Sequence, residues 1–470
     1  MNRLFALMII CLPGTSVCAQ EVEKLKNNAL VRIDSMALDL VEISYKIWSY
    51  AEPSYAEHQS SRLLISKLRK HGFQLESPLG EYETMFMATY GNEGPVIGFF
   101  GEYDADRNAS NHLTPYKNPI VPNGFGHGAG HNLLGVGALG AALALKELID
   151  NGDIKCVIKY FGTTDETGFG GKTYLARSGY FDDLDISLYW HPAPVTVAST
   201  NSSWDAMAEL EIMINGPSHE FTDFKEGATT WTALNELLTY LKDVKKNDPD
   251  NFNFNYSIQT NNSDLKNLPD SIRLGFRIQH AAQVGLIEIL DNIRALGDSI
   301  QNSSKLLVNS KVTKAHHEFI VNETAMKVVF DNMSQMEPIK YTDEEVNYAH
   351  KLQSSIGSLH RAPSADVIRF QPYTKKSLYG YSSDIGDASW FAPEVYFVTT
   401  CLPRGVPMHE WTGTVFSGHS IGQKGMLYAV KVMTLFVIDY LSNPNLQKDI
   451  YDEFLQRTAG YSYQNLISDE

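Results

Sequence analysis

The spacing of apolar residues predicts amphipathic helices near the start of the chain. Between Ala29 and Trp48 the apolar residues advance by three and four positions, which is the period of one helix face. A second helix is expected from Ser60 to His71. Farther along, short apolar runs alternate with helix-like runs, as in repeated strand-helix units. The pattern therefore predicts an α/β protein built around a mostly parallel sheet.

Three of the short apolar runs end on residues that can carry chemistry. The predicted strands PVIGFFGEYD, IKCVIKYFGTTDE and DISLYWHP end near Asp104, Glu166 and His191. Open α/β sheets bind ligands in the crevice at the carboxyl ends of their strands. These three side chains are therefore expected at one edge of the sheet.

A different pattern begins near Trp204. Strand-like and helix-like segments follow in the order β-α-β-β-α-β, which is typical of a ferredoxin-like unit. A chain of 470 residues exceeds what one hydrophobic core normally serves, so two domains are expected. We predict a main domain in two parts, residues 20–204 and 321–470, with an inserted α+β domain at 205–320.

The first nineteen residues have the pattern of a secretory signal peptide. Arg3 precedes an apolar run from Leu4 to Leu12, and Val-Cys-Ala precedes the expected cleavage after Ala19. The mature protein would then be periplasmic or extracellular, although lipid attachment at Cys18 is an alternative. Cleavage leaves Cys156 and Cys401, which could form a disulfide or remain as two buried thiols.

Composition narrows the classes of partner. The hydrophobic fraction of 43% and charged fraction of 20% indicate a globular protein. A net charge of -16 argues against binding to nucleic acids or anionic membranes. After the signal peptide, no apolar run approaches the ~20 residues that a membrane span needs.

Histidines and a glutamate are the candidate reactive groups. His127 and His131 alternate with glycines before a helix-like run, so they could bind a metal ion or act as bases. A phosphate cradle is disfavoured because no P-loop lysine follows. Glu166 could accept a proton from a metal-bound water, or it could be a surface residue. His191 and His409 lie among apolar residues, where core histidines are the alternative.

The motifs taken together resemble a known enzyme family. GEYDA, NGFGHGAGHNLLG, KYFGTTDETGFGGKTYLARSGYFDDLD, WHP, SSDIGDASW, PMHEW and IGQKGML occur in the order and spacing of the zinc amidohydrolases related to aminoacylases, glutamate carboxypeptidases and auxin-conjugate hydrolases. The resemblance covers nearly all of the mature chain. It implies that the inserted domain is a lid that also dimerises, and that two metal ions activate a water to attack an amide carbonyl.

The same resemblance assigns roles to individual residues. It implies that His131 and His191 bind one metal ion and that His409 binds the other. Glu166 falls on the general base, and His219 on the lid histidine that completes a neighbouring subunit's site. Asp104 falls on an acidic position that lines the site or supports a ligand.

Two substitutions remove anionic ligands that the family normally has. Ala129 stands where relatives have a cysteine that bridges the metals, and Thr167 stands where they have a glutamate ligand. A standard two-metal centre is therefore not expected. We predict one divalent metal, zinc or manganese, with Asp165 or His127 as a possible substitute donor. Asp106-Arg107-Asn108 replaces the Leu-Pro-Gly of relatives, and Gln423 replaces a frequent histidine.

Two functional hypotheses follow. The first is an exported metal-dependent amidohydrolase, a homodimer through its lid, that cleaves an N-acyl or aryl-amide bond to an amino acid in a small amide or dipeptide-like substrate. The alternative is a non-catalytic protein that lost the dinuclear centre and binds a small amide or assembles with a relative. Restoring the two missing ligands together would separate these hypotheses.

Overall fold

The computed structural model describes residues 13–164, 170–198, 204–216, 219–220, 229–261, 267–374 and 380–467. For residues 13–19, 219–220 and 267–268 only the backbone is described. Asp165, Glu166 and Thr167, singled out from the sequence, lie outside these ranges.

The described residues form strands and helices in the mixed order expected of an α/β protein. The strands are β1 Gln74–Glu76, β2 Phe86–Tyr90, β3 Val96–Glu102, β4 Val157–Thr163, β5 Ile186–Ala193, β6 Val197–Ala198, β7 Ala206–Asn215, β8 His219–Glu220, β9 Phe252–Thr260, β10 Asn267–Leu268, β11 Ser271–His280, β12 Leu307–His316 and β13 Glu394–Thr400. The helices are α1 Pro13–Tyr50, α2 His58–Lys70, α3 His131–Asp150, α4 Gly171–Arg177, α5 Thr230–Asn247, α6 Gln283–Ser303, α7 Glu323–Gln335, α8 Asp343–Ser355, α9 Ile385–Ala388, α10 Trp411–Gly418, α11 Ser420–Ser442 and α12 Pro444–Thr458.

The larger sheet has seven strands in the order β1-β2-β4-β3-β5-β13-β6. Its centre, β4-β3-β5-β13, is parallel, and its outer pairings are antiparallel. Every residue of β13 is buried, as expected where helices cover both faces of a parallel sheet. The carboxyl ends of β3, β4 and β5 therefore lie side by side.

Helix α3 lies in the middle of the molecule, against β3, α1 and α11. Its run of glycine, alanine and leucine is almost wholly buried, because small residues allow close approach to the sheet. By length and apolar composition alone, α3 and α11 could cross a membrane. Most of each helix is buried within the protein, as in ordinary core helices, so this is weak evidence for a span.

The smaller sheet has four antiparallel strands in the order β12-β7-β11-β9. Helices α5 and α6 join its strands, and the unit has a separate apolar core that includes Leu210, Leu237 and Ile289. The order of elements and strands is ferredoxin-like, so the predicted fold class is confirmed. The domain boundaries at 205 and 320 stay a prediction. Cys156 and Cys401 are both buried and free, so the disulfide alternative is wrong.

Candidate metal centre

Three side chains with metal-binding atoms meet at the carboxyl edge of the larger sheet. Glu102 is the last residue of β3, His191 lies near the end of neighbouring β5, and His131 begins α3. One ligand atom from each residue lies within 4.8 Å of the other two. Glu102 and His131 are buried, and His191 is partly buried. We call this set the three-residue cluster.

Two glycines fix where α3 begins. Gly130 precedes His131 with φ of 84°, a left-handed conformation that glycine adopts without strain. A side chain at Gly128 would place its Cβ 2.8 Å from the backbone nitrogen of Glu410. Glycine at these positions thus lets the loop before α3 pack against the segment that carries His409.

Both imidazoles of the cluster donate Nδ1–H to an oxygen. His131 Nδ1 lies 2.7 Å from Asp104 Oδ1, and His191 Nδ1 lies 2.8 Å from the carbonyl of Pro192. These oxygens only accept, so the proton is assigned to Nδ1 in each ring. Metal-binding histidines typically make this second hydrogen bond, which fixes the tautomer and the ring orientation. Nε2 of His131 and Nε2 of His191 are therefore the atoms that could bind a metal ion.

Asp104 is held as a carboxylate. Burial opposes its ionisation, but the charge and hydrogen bond of His131 outweigh burial and lower the pKa of Asp104 to about 2. The Ser54 hydroxyl donates a further hydrogen bond at 2.9 Å. Asp104 therefore contacts and orients the His131 ring, and its role in supporting a metal ligand stays a prediction.

Glu102 is anchored by groups that the sequence analysis did not single out. Lys172 Nζ lies 2.5 Å from Glu102 Oε1 and 2.6 Å from Asp384 Oδ1, and all three side chains are fully buried. The Tyr189 hydroxyl donates to Glu102 Oε2 at 3.2 Å. These contacts aim the carboxylate toward His131, whose Nε2 lies 3.3 Å from Glu102 Oε2.

The Lys172 contacts continue into α9. The backbone N–H of Lys172 donates to Asp384 Oδ2 at 2.8 Å, and the hydroxyl of Thr173 donates to Asp387 at 2.7 Å. His317 Nδ1 also donates to Asp387 at 2.7 Å. The start of α4 is therefore tied to α9 through buried ionic and polar contacts.

His409 lies beside the three-residue cluster but is not part of it. Its Nδ1 donates to Asp106 Oδ1 at 3.1 Å, and the other oxygen of Asp106 accepts the N–H of Ala129 at 2.7 Å. Burial opposes ionisation of Asp106, but His409, the charge of His131 and the Ala129 N–H together lower its pKa. Ala129 itself is buried and has no donor atom on its side chain.

His127 points away from the cluster. Its Nε2 lies 3.0 Å from the carbonyl oxygen of Ile47. Burial, reinforced by the charge of His131, lowers the pKa of His127 to about 4, so the ring is neutral at pH 7. These contacts are typical of a core histidine, and the role of His127 as a substitute donor stays a prediction.

Two more residues are expected in the site, His219 and Glu166. Only the backbone of His219 is described, and Glu166 lies outside the described residues. His219 lies in β8, where its backbone pairs with Leu268 of β10. Glu166 follows the buried Thr164, whose hydroxyl donates to the carboxylate of Glu57. Burial and the nearby charge of Asp104 raise the pKa of Glu57 to about 7.

Glu102 and Lys172 are the residues that sequence reasoning missed. A signal for Glu102 was present, because residues two apart on a strand face the same side and Asp104 follows two positions later. Lys172 gave no comparable signal, since a lysine at the start of a helix is usually exposed. Only the fold shows that it is buried between two carboxylates.

The cluster fits a divalent metal ion on its own chemistry. Two imidazole nitrogens and one carboxylate oxygen form the donor set of many catalytic zinc sites, which leave one position open for water or substrate. Manganese also accepts nitrogen and carboxylate ligands. The donors come from a strand end, a neighbouring strand and a helix start, so the fold prepositions them.

Comparisons with known proteins show which proteins the chain resembles. No protein-family model matches the chain. The chain is 25% identical over 454 residues to a subunit of p-aminobenzoyl-glutamate hydrolase from Escherichia coli, covering 90% of this chain and 93% of that protein. The predicted resemblance is confirmed. This relative is a hydrolase, which also confirms the predicted enzyme class.

Solved structures show the same fold. A dinuclear metal-binding peptidase from the M20 family of Bacillus subtilis matches with TM-score 0.56 and 12% identity, covering 87% of this chain and 99% of that one. An aminobenzoyl-glutamate utilization protein from Klebsiella pneumoniae matches with TM-score 0.57 and 13% identity, covering 87% and 97%. At these identities the likeness is one of fold.

Proposed function

We propose that the protein is an exported, metal-dependent amidohydrolase with an altered metal site, acting on an N-acyl or aryl-amide bond to an amino acid. The observation that carries this proposal is the three-residue cluster with its two oriented imidazoles. Similarity to a hydrolase over most of both chains supports amide hydrolysis as the reaction class. The three-residue cluster would hold one zinc or manganese ion.

Each residue of the site would have a separate role in the reaction. A bound metal ion would supply Lewis acidity for the amide carbonyl and a lowered pKa for water. Asp104 holds the proton on His131 Nδ1, and Lys172 pairs with Glu102 and keeps it correctly placed. We propose Glu166 as the proton acceptor, on the basis of its position just after β4. His219 of a partner copy would steady the developing negative charge.

Substrate, assembly and location are parts of the same proposal. We propose a small amide or dipeptide-like substrate because the Escherichia coli relative is named for an aminobenzoyl-glutamate substrate. A homodimer through residues 205–320 and export through residues 1–19 complete the proposal. Both rest on the sequence.

The first experiment is to measure bound zinc and manganese in the purified mature protein, followed by hydrolysis of a panel of N-acyl and aminobenzoyl amino acids. We expect an ion bound at the three-residue cluster and hydrolysis of at least one compound, and both that ion and the hydrolysis should be lost in His131→Ala. His360→Ala, a change at an exposed histidine, is the matched control. Glu166→Gln should keep the metal and lose hydrolysis. Unchanged turnover in Glu166→Gln would reject that residue as the base.

The non-catalytic alternative is favoured by one observation, the absence of a donor atom at the buried Ala129. It predicts no hydrolysis by the natural sequence. Ala129→Cys combined with Thr167→Glu restores both missing ligands and tests this alternative. Activity that appears only in the double variant would support loss of the centre in the natural protein.

A further inference from the structure

The backbone of Asp106 is fixed against the glycine-rich loop before α3. Residues 106 and 126 form an isolated antiparallel bridge, with N–H to carbonyl hydrogen bonds of 2.9 and 3.0 Å between them. The carboxylate of Asp106 is thus held next to the loop that carries Ala129 and His131. Its position does not depend on the side-chain contacts alone.

The Asp106 carboxylate contacts the backbone of Ala129, a residue whose side chain has no donor atom. One oxygen accepts the Ala129 N–H at 2.7 Å, and the other faces His409 at 3.1 Å. The side chain is three-quarters buried, with 24% exposed.

His409 is placed there at a conformational cost. Its φ of 60° lies in the left-handed region, which residues other than glycine rarely adopt. Such strain persists where surrounding structure enforces it, and it is frequent at functional sites. Half of the His409 side chain, 52%, is exposed, so an ion from solvent can reach it.

We infer that Asp106 is a metal-binding residue that replaces the donor absent at Ala129, and that with His409 it forms a second divalent-cation position beside the three-residue cluster. The inference rests on the metal-dependent function proposed above. The ligand is a divalent cation such as zinc or manganese, which would displace the proton between His409 Nδ1 and Asp106 Oδ1 into solvent and bind both atoms, one imidazole nitrogen and one carboxylate oxygen.

The second position should be the weaker of the two. The three-residue cluster offers two imidazoles and a carboxylate and is mostly buried, whereas the second position offers one of each and lies partly in solvent. Fewer protein ligands and greater exposure lower affinity. Two ions should therefore bind in separate steps as zinc or manganese is added.

The test is metal titration of the full mature protein by equilibrium dialysis and elemental analysis, with zinc and separately with manganese. We expect two bound ions in the natural sequence. Asp106→Asn should weaken the second ion at least tenfold and leave the first unchanged, the scale of loss seen when metal-site groups are altered. Asp153→Asn, the same change in an exposed turn, is the control and should bind as the natural protein does.

Two further variants keep the inference falsifiable. His409→Gln changes a half-exposed side chain, so it should fold, and it should weaken the same second ion. Ala129→Cys in the Asp106→Asn background should restore the second ion, and with cobalt it should add the absorption band of a thiolate ligand. A small apolar cavity beside Ala129, lined by Leu133, Met408 and Phe416, gives the cysteine side chain room.

The outcomes separate the inference from the function on which it rests. One bound ion that is insensitive to Asp106→Asn would overturn the inference and leave the proposed function standing. Loss of the second ion without rescue by Ala129→Cys would reject Asp106 as the replacement for that position. No bound ion in the natural sequence would overturn both.

Discussion

The three-residue cluster and the neighbouring pair of Asp106 and His409 lie side by side, but the fold holds them in different ways. The residues of the cluster lie at strand and helix ends. Lys172 and Tyr189 contact Glu102, and Asp104 accepts a hydrogen bond from His131. The pair stands on loops and is partly open to solvent. Buried charged groups fix the three-residue cluster. The backbone bridge between residues 106 and 126 and the strained φ of His409 fix the pair.

This difference indicates that substitutions are tolerated better at the partly exposed pair than in the buried cluster. Replacing buried Glu102 would remove one of the two carboxylates that pair with Lys172, because the buried ammonium group contacts both Glu102 and Asp384. In the exposed half, a lost donor can be offset by a carboxylate from a neighbouring loop. Asp106 lies in that half, next to the buried Ala129.

The largest effect is expected from breaking the buried support. Lys172→Met would leave the buried carboxylates of Glu102 and Asp384 without the cation that pairs with both, so the free energy of unfolding should fall by about 3–5 kcal/mol. Urea denaturation followed by circular dichroism measures this. Lys159→Met removes a lysine paired with the exposed Asp183 and should cost about 0–1 kcal/mol. Equal losses in the two variants would contradict a special role for burial.

The next effect concerns the orientation of His131. Asp104→Asn keeps the shape of the side chain but removes the charge that fixes the His131 tautomer, so affinity for the first metal ion should fall roughly 10- to 100-fold. Competition with a chelator measures that affinity. Asp153→Asn again serves as the control. Unaltered affinity in Asp104→Asn would show that the His131–Asp104 contact does not support a ligand.

The stability of the protein should depend on pH through Glu57, a buried carboxyl group near the charge of Asp104. Glu57 has a folded pKa of about 7 against an ordinary 4.5, so the folded state keeps a proton that the unfolded state loses between these values. Its stabilising contribution is full below pH 4.5 and is lost as pH rises through 7. Relative to Glu57→Gln, the natural protein should lose roughly 3 kcal/mol of stability over this window.

Denaturation at several pH values provides the measurement for Glu57. His127 and His316 also titrate in acid, with pKa values lowered by burial to about 4 and about 3, but both are present in the two proteins being compared. Their contributions therefore cancel in the difference. Parallel stability curves for the two proteins would rule out the proton held by Glu57.

The smallest effect on stability is expected in the exposed half. His409→Ala removes a half-exposed ion pair with Asp106, so the free energy of unfolding should change by less than about 1 kcal/mol. The first metal ion should be retained. A thermal melt with metal analysis checks both statements. A loss as large as that of Lys172→Met would remove the distinction between the halves.

The sequence predicted much of the fold because its local signals are strong. The helix expected between Ala29 and Trp48 lies within α1, and the β-α-β-β-α-β order after Trp204 is present. Strand ends also placed Asp104 and His191 at one edge. The support of Glu102 by Lys172 could not be predicted, because it depends on how β3, α4 and α9 pack together. Spacing along the chain carries no such information.

The parallel pairing of β5 and β13 has a consequence for how the protein folds. The hydroxyl of Ser187 donates a hydrogen bond to the carboxylate of Glu394, which is 207 residues away in the sequence. All strands of the smaller sheet lie between these two residues in the sequence. Closing so long a loop is entropically costly, whereas the smaller sheet can pair its strands over short separations. The interior segment should therefore gain structure first. The sheet edge that holds His191 reaches its final surroundings only after most of the chain has been synthesised.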